Sequence, residues 1–450
     1  MNIALVILAA GKGTRMNSDL PKVLHPLAGA PLLIHAMEAG ARIEPVSTVV
    51  VAGFGADAVK KAALAHDPAA TVVVQAEQLG TAHAAAQARD VLAGFQGTAV
   101  ILFGDTPFVS PGTLARMIEA KAKNDVVILG FEAADPGRYG RLVTEQDELL
   151  RIVEFKDASA AERAITLCNS GVLACDAQTL FEILDEIDND NAASEYYLTE
   201  VPERARARGL SATVVRCDES ETLGINSRAE LAAAEAQFQK RARAEAIETG
   251  VTMPAPETVC FSYDTVIGRD SLIEPNVVFG PGVTVETGAT IRSFSHLEGC
   301  HVSRGSTVGP FARLRPGTEL GEDARVGNFV EMKNATLGDG SKVNHLSYVG
   351  DATIGTQTNV GAGTITCNYD GVMKHQTQIG DQVFIGSNTM LVAPVAIGHR
   401  AMTASGSVIT SDVEPEALAI ARAPQLQKTG MAAKLMALLK AKKAQQERGN

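Results

Sequence analysis

The sequence predicts an α/β domain with a mostly parallel sheet, followed by a parallel β-helix of hexapeptide repeats. Up to about residue 228, apolar runs of strand length alternate with Ala-rich helical stretches, and this alternation is the pattern of α/β folds. Beyond that point, an aliphatic residue recurs at about every sixth position, which is typical of a solenoid. The length of 450 residues also favours two hydrophobic cores over one.

Five apolar runs are the strands predicted for the first domain. They are IALVIL (3–8), VSTVVVAG (46–53), ATVVVQ (70–75), TAVILFGD (98–105) and DVVILGF (125–131). Open α/β sheets bind ligands at the carboxyl ends of their strands. We therefore expect binding residues directly after these runs.

The segment between the two patterns, RAELAAAEAQFQKRARAEAIET, contains neither Gly nor Pro and is predicted to form one helix. A helix at a change of pattern is a natural connection between domains. We accordingly assign 1–228 to the first domain, 229–249 to a linker helix and 250–450 to the second domain.

The period of six predicts which side chains point into the β-helix. They are Ile267, Ile273, Phe279, Val285, Ile291, Leu297, Val308, Leu314, Leu320, Val326, Met332, Leu337, Val343, Val349, Ile354, Val360, Ile379, Ile385, Leu391 and Ile397. An all-β sandwich is the alternative, but its strands would recur about every 8–12 residues. The stretch TCNYDGVMKHQTQ (366–378) breaks the register and is expected to project as a loop.

The overall composition argues against several classes of function. A formal charge of −12 and a pI near 5.3 disfavour binding to nucleic acid or to an anionic membrane, because both need a basic surface. No apolar stretch is long enough to span a bilayer. The six cysteines form no CxxC pair, so we expect reduced thiols in a cytoplasmic protein rather than disulfides or structural zinc.

A glycine-containing turn, LAAGKGTRM, follows the first strand and is a candidate phosphate site. It matches neither the P-loop nor the dinucleotide motif, and a tight turn without a ligand is the alternative. Lys22 follows in DLPKVL. Asp105 ends the fourth strand, where a carboxylate can hold Mg²⁺ or cap a helix.

Eight motifs occur in an order that resembles one known family. They are LAAGKGTRM, PKVLHPLAG, AEQLGTAHA, FGDTP, GRYGRLV, IVEFKDAS, CNSGVLA and GINSRAEL. The family is that of the bifunctional N-acetylglucosamine-1-phosphate uridylyltransferase/glucosamine-1-phosphate N-acetyltransferases, and the resemblance covers both halves. It implies a Rossmann-like nucleotidyltransferase domain, a left-handed β-helix and a homotrimer. It also implies acetylation of glucosamine 1-phosphate by acetyl-CoA, then UMP transfer from UTP with release of pyrophosphate.

By the same resemblance, the first domain binds nucleotide and sugar through residues near its strand ends. Those implied for UTP or the sugar nucleotide are Leu8, Ala9, Ala10, Gly11, Arg15, Lys22, Gln75, Gly80, Thr81, Phe103, Gly104, Asp105, Gly140, Glu154, Asn169 and Asn226. Asp105 and Asn226 are implied as Mg²⁺ ligands, with Arg15 and Lys22 on phosphates. A sugar phosphate is already an anionic nucleophile, so this chemistry needs alignment and charge neutralisation rather than a general base.

Several polar residues in the hexapeptide half are not required by coil packing. Arg315 and Lys333 are 18 residues apart, which is one turn of a three-walled coil. We expect them on one face, as a phosphate site or as solvated charges. His345 comes two residues after the inward-facing Val343 and should point outward, as a surface residue or as a general base.

The resemblance implies a role for each of these residues. His345 is implied as the base that deprotonates the glucosamine amine. The residues implied for the amino-sugar phosphate are Arg315, Lys333, Tyr348 and Asn359, and those implied for acetyl-CoA are Ala362, Asn368, Tyr369, Ser387, Ser405 and Arg422. The lysine-rich tail after Pro424 is expected to be a solvated helix or a contact to a phosphorylated ligand.

Two other functions fit parts of the sequence. A nucleotidyltransferase for another sugar 1-phosphate, such as an ADP-glucose-forming enzyme, could carry a β-helical regulatory domain. That domain would not need His345, Tyr348 and the NYDG loop together. An inactive scaffold with both folds would not need to keep Lys22 and Asp105.

Overall fold

The computed structural model describes residues 2–146 and 148–448, which form two compact units. The first unit comprises Met1–Glu245 together with Phe261–Thr265, and the second comprises Ala246–Cys260 together with Val266–Asn450. Strands alternate with helices in the first unit, and short parallel strands dominate the second.

A nine-stranded sheet forms the centre of the first unit. In spatial order its strands are Thr71–Val74, Ser47–Ala52, Ile3–Ala9, Thr98–Phe103, Leu167–Asp176, Val126–Glu132, Ala212–Cys217, Glu148–Val153 and Arg141–Glu145. All five strands predicted from the sequence are present, and the first four are mutually parallel. The strand Leu167–Asp176 runs antiparallel to both of its neighbours. The sheet is therefore less parallel than we expected, because alternation along the chain indicates strands but not their pairing direction.

Both faces of this sheet are covered. Every residue of the strand Ile3–Ala9 is buried, and its side chains alternate between two apolar clusters on opposite faces. The covering helices are Leu32–Ala41, Ala56–His66, Thr81–Ala86, Pro111–Lys121, Ala177–Leu184 and Val201–Ala207. A further short helix, Ala160–Arg163, buries none of its residues. Short 3₁₀ turns lie at Thr14–Met16, Lys22–Leu24, Leu198–Glu200 and Glu219–Glu221, and a small hairpin pairs Pro26–Leu27 with Ala30–Pro31.

The helix predicted between the two patterns spans Arg228–Glu248. Its Ala234 is buried against a small apolar cluster of the first unit that contains Leu27, Leu32, Phe108 and Ile225. Glu235 further accepts a hydrogen bond from the backbone of Ala28 at 2.7 Å. These contacts explain why the helix belongs to the first unit as far as Glu245.

The second unit is a parallel β-helix whose strands stack into three walls. One wall contains Val266–Ile267, Thr284–Val285, Cys300–Val302, Thr318–Leu320, Thr377–Ile379 and Val395–Ile397. The next contains Leu272–Ile273, Thr290–Ile291, Thr307–Val308, Arg325–Asn328, Lys342–His345, Asn359–Val360, Phe384–Ile385, Met402–Thr403 and Leu418–Ala419. The third contains Val278–Phe279, His296–Leu297, Arg313–Leu314, Ile365–Cys367, Met390–Val392 and Val408–Ile409. Two longer strands, Glu331–Leu337 and Tyr348–Ile354, turn the corner between the first and third walls.

The predicted inward positions of the hexapeptide register are confirmed. Each is buried except Ile267, which is partly exposed in one of the first coils. At the corner turned by the two longer strands, Asn334 and Asp351 adopt left-handed backbone conformations with φ of 45° and 47°. The chain between the strands Ile365–Cys367 and Thr377–Ile379 leaves the wall as a loop, as predicted for 366–378.

The remaining helical segments of the second unit are a short turn at Pro256–Thr258 and the helix Met431–Arg448. Side chains of the latter are exposed from Met431 to Glu447. Across the described residues, no helix is both long and apolar enough to cross a membrane.

Candidate active sites

The turn after the first strand lies beside the end of its neighbour. Leu8 pairs with Phe103 in the parallel register, and the N–H of Gly104 donates to the carbonyl of Leu8 at 2.9 Å. Gly13 has φ of +60°, and a Cβ built there would lie 2.5 Å from the Cβ of Lys22. The sheet therefore brings the sequence-predicted segments 8–15, 22 and 103–105 to one edge.

Three polar side chains from distant parts of the chain meet at this edge. The Lys22 ammonium forms an ion pair with Asp105 and donates a hydrogen bond to Asn226 Oδ1 at 3.0 Å. The backbone N–H of Ile225 also donates to the carbonyl of Asp105 at 3.0 Å. A carboxylate oxygen and an amide oxygen thus converge on the Lys22 ammonium. Mg²⁺ prefers oxygen ligands of these kinds. In the described part of the chain, no group of three or more His, Cys, Asp or Glu residues is arranged to hold a metal.

A capping box holds Asn226 in place. Ser227 Oγ accepts from the N–H of Glu230 at 3.2 Å, and Glu230 Oε2 accepts from the backbone N–H groups of Asn226 and Ser227 at 2.6 and 3.1 Å. This reciprocal pattern starts the helix Arg228–Glu248. The metal-ligand candidate therefore sits at a defined helix start rather than on a free loop.

Arg228 is a contact that the sequence did not predict. Its side chain donates to the carbonyl of Met16 at 3.3 Å and reaches Nδ1 of His25 at 3.1 Å. His25 is buried, and burial together with Arg228 lowers its pKa. Arg228 therefore ties the helix start to the Gly-containing turn and to the segment that carries Lys22.

Gln75, Gly80 and Thr81 form a second group at the end of the strand Thr71–Val74. Gln75 Nε2 donates to the carbonyl of Gly80 at 3.2 Å, and Thr81 Oγ1 accepts from the backbone of Leu198 at 2.9 Å. Gly80 has φ of +119°, and a Cβ there would meet the carbonyl oxygen of Tyr196 at 2.4 Å. The close approach therefore requires glycine at this position.

Gly140, Glu154 and Asn169 form a third group. The N–H of Asn169 donates to the carbonyl of Gly140 at 2.9 Å, and a Cβ built on Gly140 would lie 3.7 Å from both Asn169 Cβ and Glu154 Oε1. Burial raises the pKa of Glu154, while a hydrogen bond from Thr199 opposes that rise. Gly140, Glu154 and Asn169 therefore lie side by side, with Glu154 partly desolvated.

On the β-helix, His345 ends the strand Lys342–His345 and is exposed. Its outward orientation is as predicted. Nδ1 lies 2.9 Å from Oδ1 of Asn328, which occupies the paired position on the preceding coil. Because an amide oxygen only accepts, this contact places the proton on Nδ1 and leaves Nε2 as the free base.

Three cations gather near the long strands. Arg315 forms an ion pair with Glu331 at 2.8 Å, and its neighbour Leu314 pairs with Met332, so Arg315 stacks on Lys333 as the 18-residue spacing predicted. Lys374 beside Lys333, with burial and Arg315, lowers the pKa of the Lys333 ammonium, and Asp351 opposes this. Lys374 was not predicted from the sequence, although a lysine in the interrupting loop was a usable signal.

The positions implied for acetyl-CoA fall into two groups. The carbonyl of Ser387 accepts from Gly406, the carbonyl of Ser405 accepts from Arg422 at 2.7 Å, and the carbonyl of Ala362 accepts from Asn388. These contacts place Ala362, Ser387, Ser405 and Arg422 on one row across successive coils. Asn368 and Tyr369 instead start the projecting loop, and no hydrogen bond joins them to that row in the residues described.

The remaining candidates lie on the same unit. Tyr348 begins the strand Tyr348–Ile354, and its hydroxyl would be 2.4 Å from a Cβ at Gly350. Asn359 pairs with Lys342 on the wall that carries His345. The backbone of Gly363 also donates to the carbonyl of His345 at 3.2 Å, which puts His345 next to the row that begins at Ala362.

Two family models match the chain. The MobA-like NTP transferase domain matches residues 5–190, and the bacterial transferase hexapeptide model with six repeats matches residues 264–299 and 376–411. The molecule therefore combines a nucleotidyltransferase domain with a hexapeptide-repeat transferase domain.

Curated relatives carry the same combination. The bifunctional protein GlmU of Roseobacter denitrificans is 72% identical over 450 residues, with 100% of each chain covered. The bifunctional protein GlmU of Ruegeria sp. strain TM1040 is 66% identical over 449 residues, also with 100% of each chain covered. The chain therefore belongs to the GlmU family of bifunctional proteins. It is a bifunctional enzyme, a uridylyltransferase and N-acetyltransferase of UDP-N-acetylglucosamine synthesis.

This membership decides against the regulatory-domain and scaffold alternatives.

A solved structure of UDP-glucose pyrophosphorylase complexed with UDP-glucose aligns with 54% of this chain at a TM-score of 0.45 and 19% identity. That likeness is too weak to support any inference.

Proposed function

We propose that the two activities use separate sites, with UMP transfer at the strand ends of residues 1–228 and acetyl transfer on the β-helix of residues 250–450. The helix assigned to 229–249 joins the two regions. The observation that carries the first assignment is the convergence of Lys22, Asp105 and Asn226 at one edge of the sheet. The cation cluster near His345 supports the second.

For UMP transfer, the phosphates of UTP lie against the turn after the first strand, with Arg15 and Lys22 as cationic contacts. Asp105 and Asn226 hold Mg²⁺. Two protein oxygens suit this ion, because Mg²⁺ keeps several waters and shares substrate phosphates. When bound, the ion offsets phosphate charge. Lys22 would supply a second positive charge for the phosphates at the same edge.

The nucleotide and the sugar occupy the two neighbouring groups of residues. The residues at the uridine end are Ala9, Ala10, Gly11, Gln75, Gly80 and Thr81. Leu8, Phe103 and Gly104 belong to the same nucleotide site. Gly140, Glu154 and Asn169 hold N-acetylglucosamine 1-phosphate. The chain's role is alignment, since the phosphate oxygen of the sugar attacks the α-phosphorus of UTP without loss of a proton and pyrophosphate leaves.

For acetyl transfer, Arg315 and Lys333 bind the phosphate of glucosamine 1-phosphate, and Tyr348 and Asn359 complete its site. Lys374 belongs to the same cationic group. A phosphate dianion between these cations would relieve the mutual repulsion that lowers the pKa of Lys333.

His345 acts as the general base. Nε2 takes a proton from the glucosamine ammonium, and the neutral amine attacks the thioester carbonyl of acetyl-CoA. As the C–N bond forms and the C–S bond breaks, the attacking nitrogen loses its second proton to the departing thiolate, so coenzyme A leaves as the thiol, and His345 returns its own proton to solvent. Asn328 holds the required tautomer through Nδ1. Acetyl-CoA lies along Ala362, Ser387, Ser405 and Arg422, with Asn368 and Tyr369 at its reactive end.

The proposed partners are these small molecules and two further copies of the chain, with neither nucleic acid nor membrane. A cytoplasmic homotrimer fits this function, because closed cyclic symmetry suits parallel solenoids whose walls are otherwise exposed. Light scattering on the purified protein should give about three times the chain mass. A monomer with full acetyltransferase activity would contradict the trimer.

A coupled assay tests the two-site proposal. With UTP, glucosamine 1-phosphate, acetyl-CoA and Mg²⁺, the protein should release both free thiol and pyrophosphate. With N-acetylglucosamine 1-phosphate, UTP and Mg²⁺, it should release pyrophosphate alone. A chelator should stop pyrophosphate release in both assays while sparing thiol release in the first. Thiol release that depends on the metal would contradict the assignment of Mg²⁺ to the first site only.

A further inference from the structure

One corner of the β-helix carries a polar side chain on each of three successive coils. Asn334, Asp351 and Asn368 are spaced by 17 residues, and both asparagines donate an Nδ2 hydrogen to the Asp351 carboxylate. Asp351 is only 7% exposed and has φ of 47°. A buried carboxylate in a left-handed backbone conformation is unfavourable unless its surroundings compensate for it.

The carboxylate determines which way the Asn368 amide faces. A carboxylate can only accept hydrogen bonds, so Asn368 must present Nδ2 to it and turn the carbonyl Oδ1 away. Among the described residues, no hydrogen bond reaches that oxygen. That oxygen is therefore available to accept a hydrogen bond from another molecule.

Asn368 also closes the base of the projecting loop. Its backbone carbonyl accepts from the N–H of His375 at 2.8 Å. Within the loop, Tyr369 and Lys374 form an antiparallel β-bridge. Anchoring Asn368 therefore fixes both an acceptor and the position from which the loop extends.

The same carboxylate lies close to the cation cluster. Burial alone would raise its pKa, but the hydrogen bonds from Asn334 and Asn368 and the charges of Lys374 and Lys333 hold that pKa below its ordinary value. Asp351 therefore stays ionised and offsets part of the positive charge that would attract a phosphate. An arrangement selected only for phosphate affinity would not place an anion here.

We propose that Asp351 is a positioning residue for acetyl transfer, holding Asn368 so that its Oδ1 accepts an amide N–H from the acyl donor. The proposal rests on the proposed acetyltransferase site. In addition, Asp351 should favour binding of the acyl donor, while its negative charge weakens the attraction of the site for the sugar phosphate. The two substrates should then respond in opposite directions when the charge is removed.

Asp351→Asn in the full chain tests this. An asparagine can donate or accept, so the amide at 368 would be free to turn over. We expect kcat/KM for acetyl-CoA to fall roughly 3- to 10-fold, the scale of a lost hydrogen bond between two neutral amides. KM for glucosamine 1-phosphate should stay unchanged or fall, and uridylyl transfer should be unaffected. Asp381→Asn is the matched control, because Asp381 accepts comparable hydrogen bonds from Thr356 on a later coil.

The exchanged pair Asp351→Asn/Asn368→Asp distinguishes positioning from support of the fold. It restores one carboxylate and one amide in contact, and the carboxylate at 368 still presents an oxygen outward. We expect the exchanged pair to recover most of the kcat/KM for acetyl-CoA that Asp351→Asn loses, whereas Asn368→Asp alone places two carboxylates together and should be inactive in acetylation. If Asp351→Asn does not fold, the folded exchanged pair must still retain acetylation for the proposal to stand.

Normal kcat/KM for acetyl-CoA in Asp351→Asn, an equal rise of both KM values, or no recovery in a folded exchanged pair would each overturn the positioning role. Failure of the unsubstituted chain to acetylate glucosamine 1-phosphate would instead overturn the proposed function. The two failures are therefore distinguishable.

Discussion

In the first unit, side chains that meet at the strand ends come from distant parts of the chain, whereas on the β-helix they come from neighbouring coils. Lys22 is separated from Asp105 by 83 residues and from Asn226 by 204. His345 and Asn328 are 17 residues apart, and Arg315 and Glu331 are 16 apart.

This difference determines how far the structural effect of a substitution should extend. The first site depends on three segments that meet only when the whole sheet is formed, so its geometry is a property of the entire unit. In a solenoid each coil contacts only its neighbours, so a change on one coil should remain local. The most direct way to test the comparison is to remove one central residue from each site.

The largest expected effect is that of Asp105→Ala. The substitution removes the partner of Lys22 and the carboxylate proposed for Mg²⁺, and charge neutralisation of phosphates is worth several kcal/mol. Uridylyl transfer should fall about 10³-fold, measured as pyrophosphate release, while acetylation remains normal. Asp90→Ala, at an exposed position of the same unit, is the control. A variant with near-normal pyrophosphate release would remove Asp105 from the site.

His345→Ala should have the next largest effect. Loss of a general base lowers the rate by about 10²-fold or more, so free-thiol release should fall by that factor with uridylyl transfer unchanged. His296→Ala replaces another exposed histidine of the β-helix and should leave both activities intact. Equal loss in the two variants would indicate general damage to the walls rather than loss of a base.

How much the sequence could predict also differs between the two regions. On the β-helix, spacing alone predicted the inward register, the outward His345 and the stacking of Arg315 on Lys333. The same spacing could have shown that Asn328 and Asp351 lie one coil from candidate residues, but only side-chain geometry shows that they form hydrogen bonds.

In the first unit, strand patterns predicted the edge where ligands are expected to bind but not which side chains meet there. Lys22 and Asp105 were singled out by their positions after the strands, whereas Asn226 was added only through the family resemblance, because a contact across 204 residues leaves no period in the sequence. The antiparallel strand Leu167–Asp176 and the contacts of Arg228 were missed for the same reason. Which residues act in either site remains a prediction for the variants proposed here.

Truncating the chain within the helix Arg228–Glu248 tests how much this helix stabilises the first unit. A fragment of residues 1–228 lacks the helix that buries Ala234 against Leu27, Leu32 and Phe108, whereas residues 1–245 retain it. Exposing this apolar cluster should cost about 3 kcal/mol, which lowers Tm by roughly 6–12 °C for a unit of this size. Both fragments should retain uridylyl transfer at low temperature, but the shorter one lacks the Glu230 contacts that hold Asn226 and should be less active. Calorimetry gives the difference in Tm.

Single substitutions on the same helix provide the control for truncation. Ala234→Asp places a charge in the buried cluster and should lower Tm of the longer fragment, while Ala232→Asp, at an exposed position, should not. Equal Tm values for the two fragments would mean that the helix is only a connection and contributes nothing to the first unit.

The smallest expected effect is that of Glu154→Gln, and it depends on pH. Burial favours the protonated form of Glu154 and raises its pKa, with Asp157 and Glu195 adding to the rise and Thr199 opposing it. A raised carboxyl pKa contributes stability that is fully present below the unfolded-state pKa and is lost as the pH rises through the folded-state pKa. Glutamine cannot ionise, so the Tm of the variant minus that of the native chain should increase as the pH rises above about 4, the ordinary range of a carboxyl group, and should level off once Glu154 is ionised in the folded protein.

The same substitution should weaken the sugar site while it stabilises the fold at neutral pH. Glutamine keeps the shape of Glu154 but replaces a charged acceptor, so KM for N-acetylglucosamine 1-phosphate should rise roughly 10-fold with acetylation unchanged. Glu119→Gln, exposed on the helix Pro111–Lys121, should show neither the pH-dependent gain in Tm nor the change in KM. If Glu154→Gln and Glu119→Gln follow the same Tm curve, the Glu154 carboxylate is solvated in the folded protein. The group of Gly140, Glu154 and Asn169 is then not the buried sugar site proposed here.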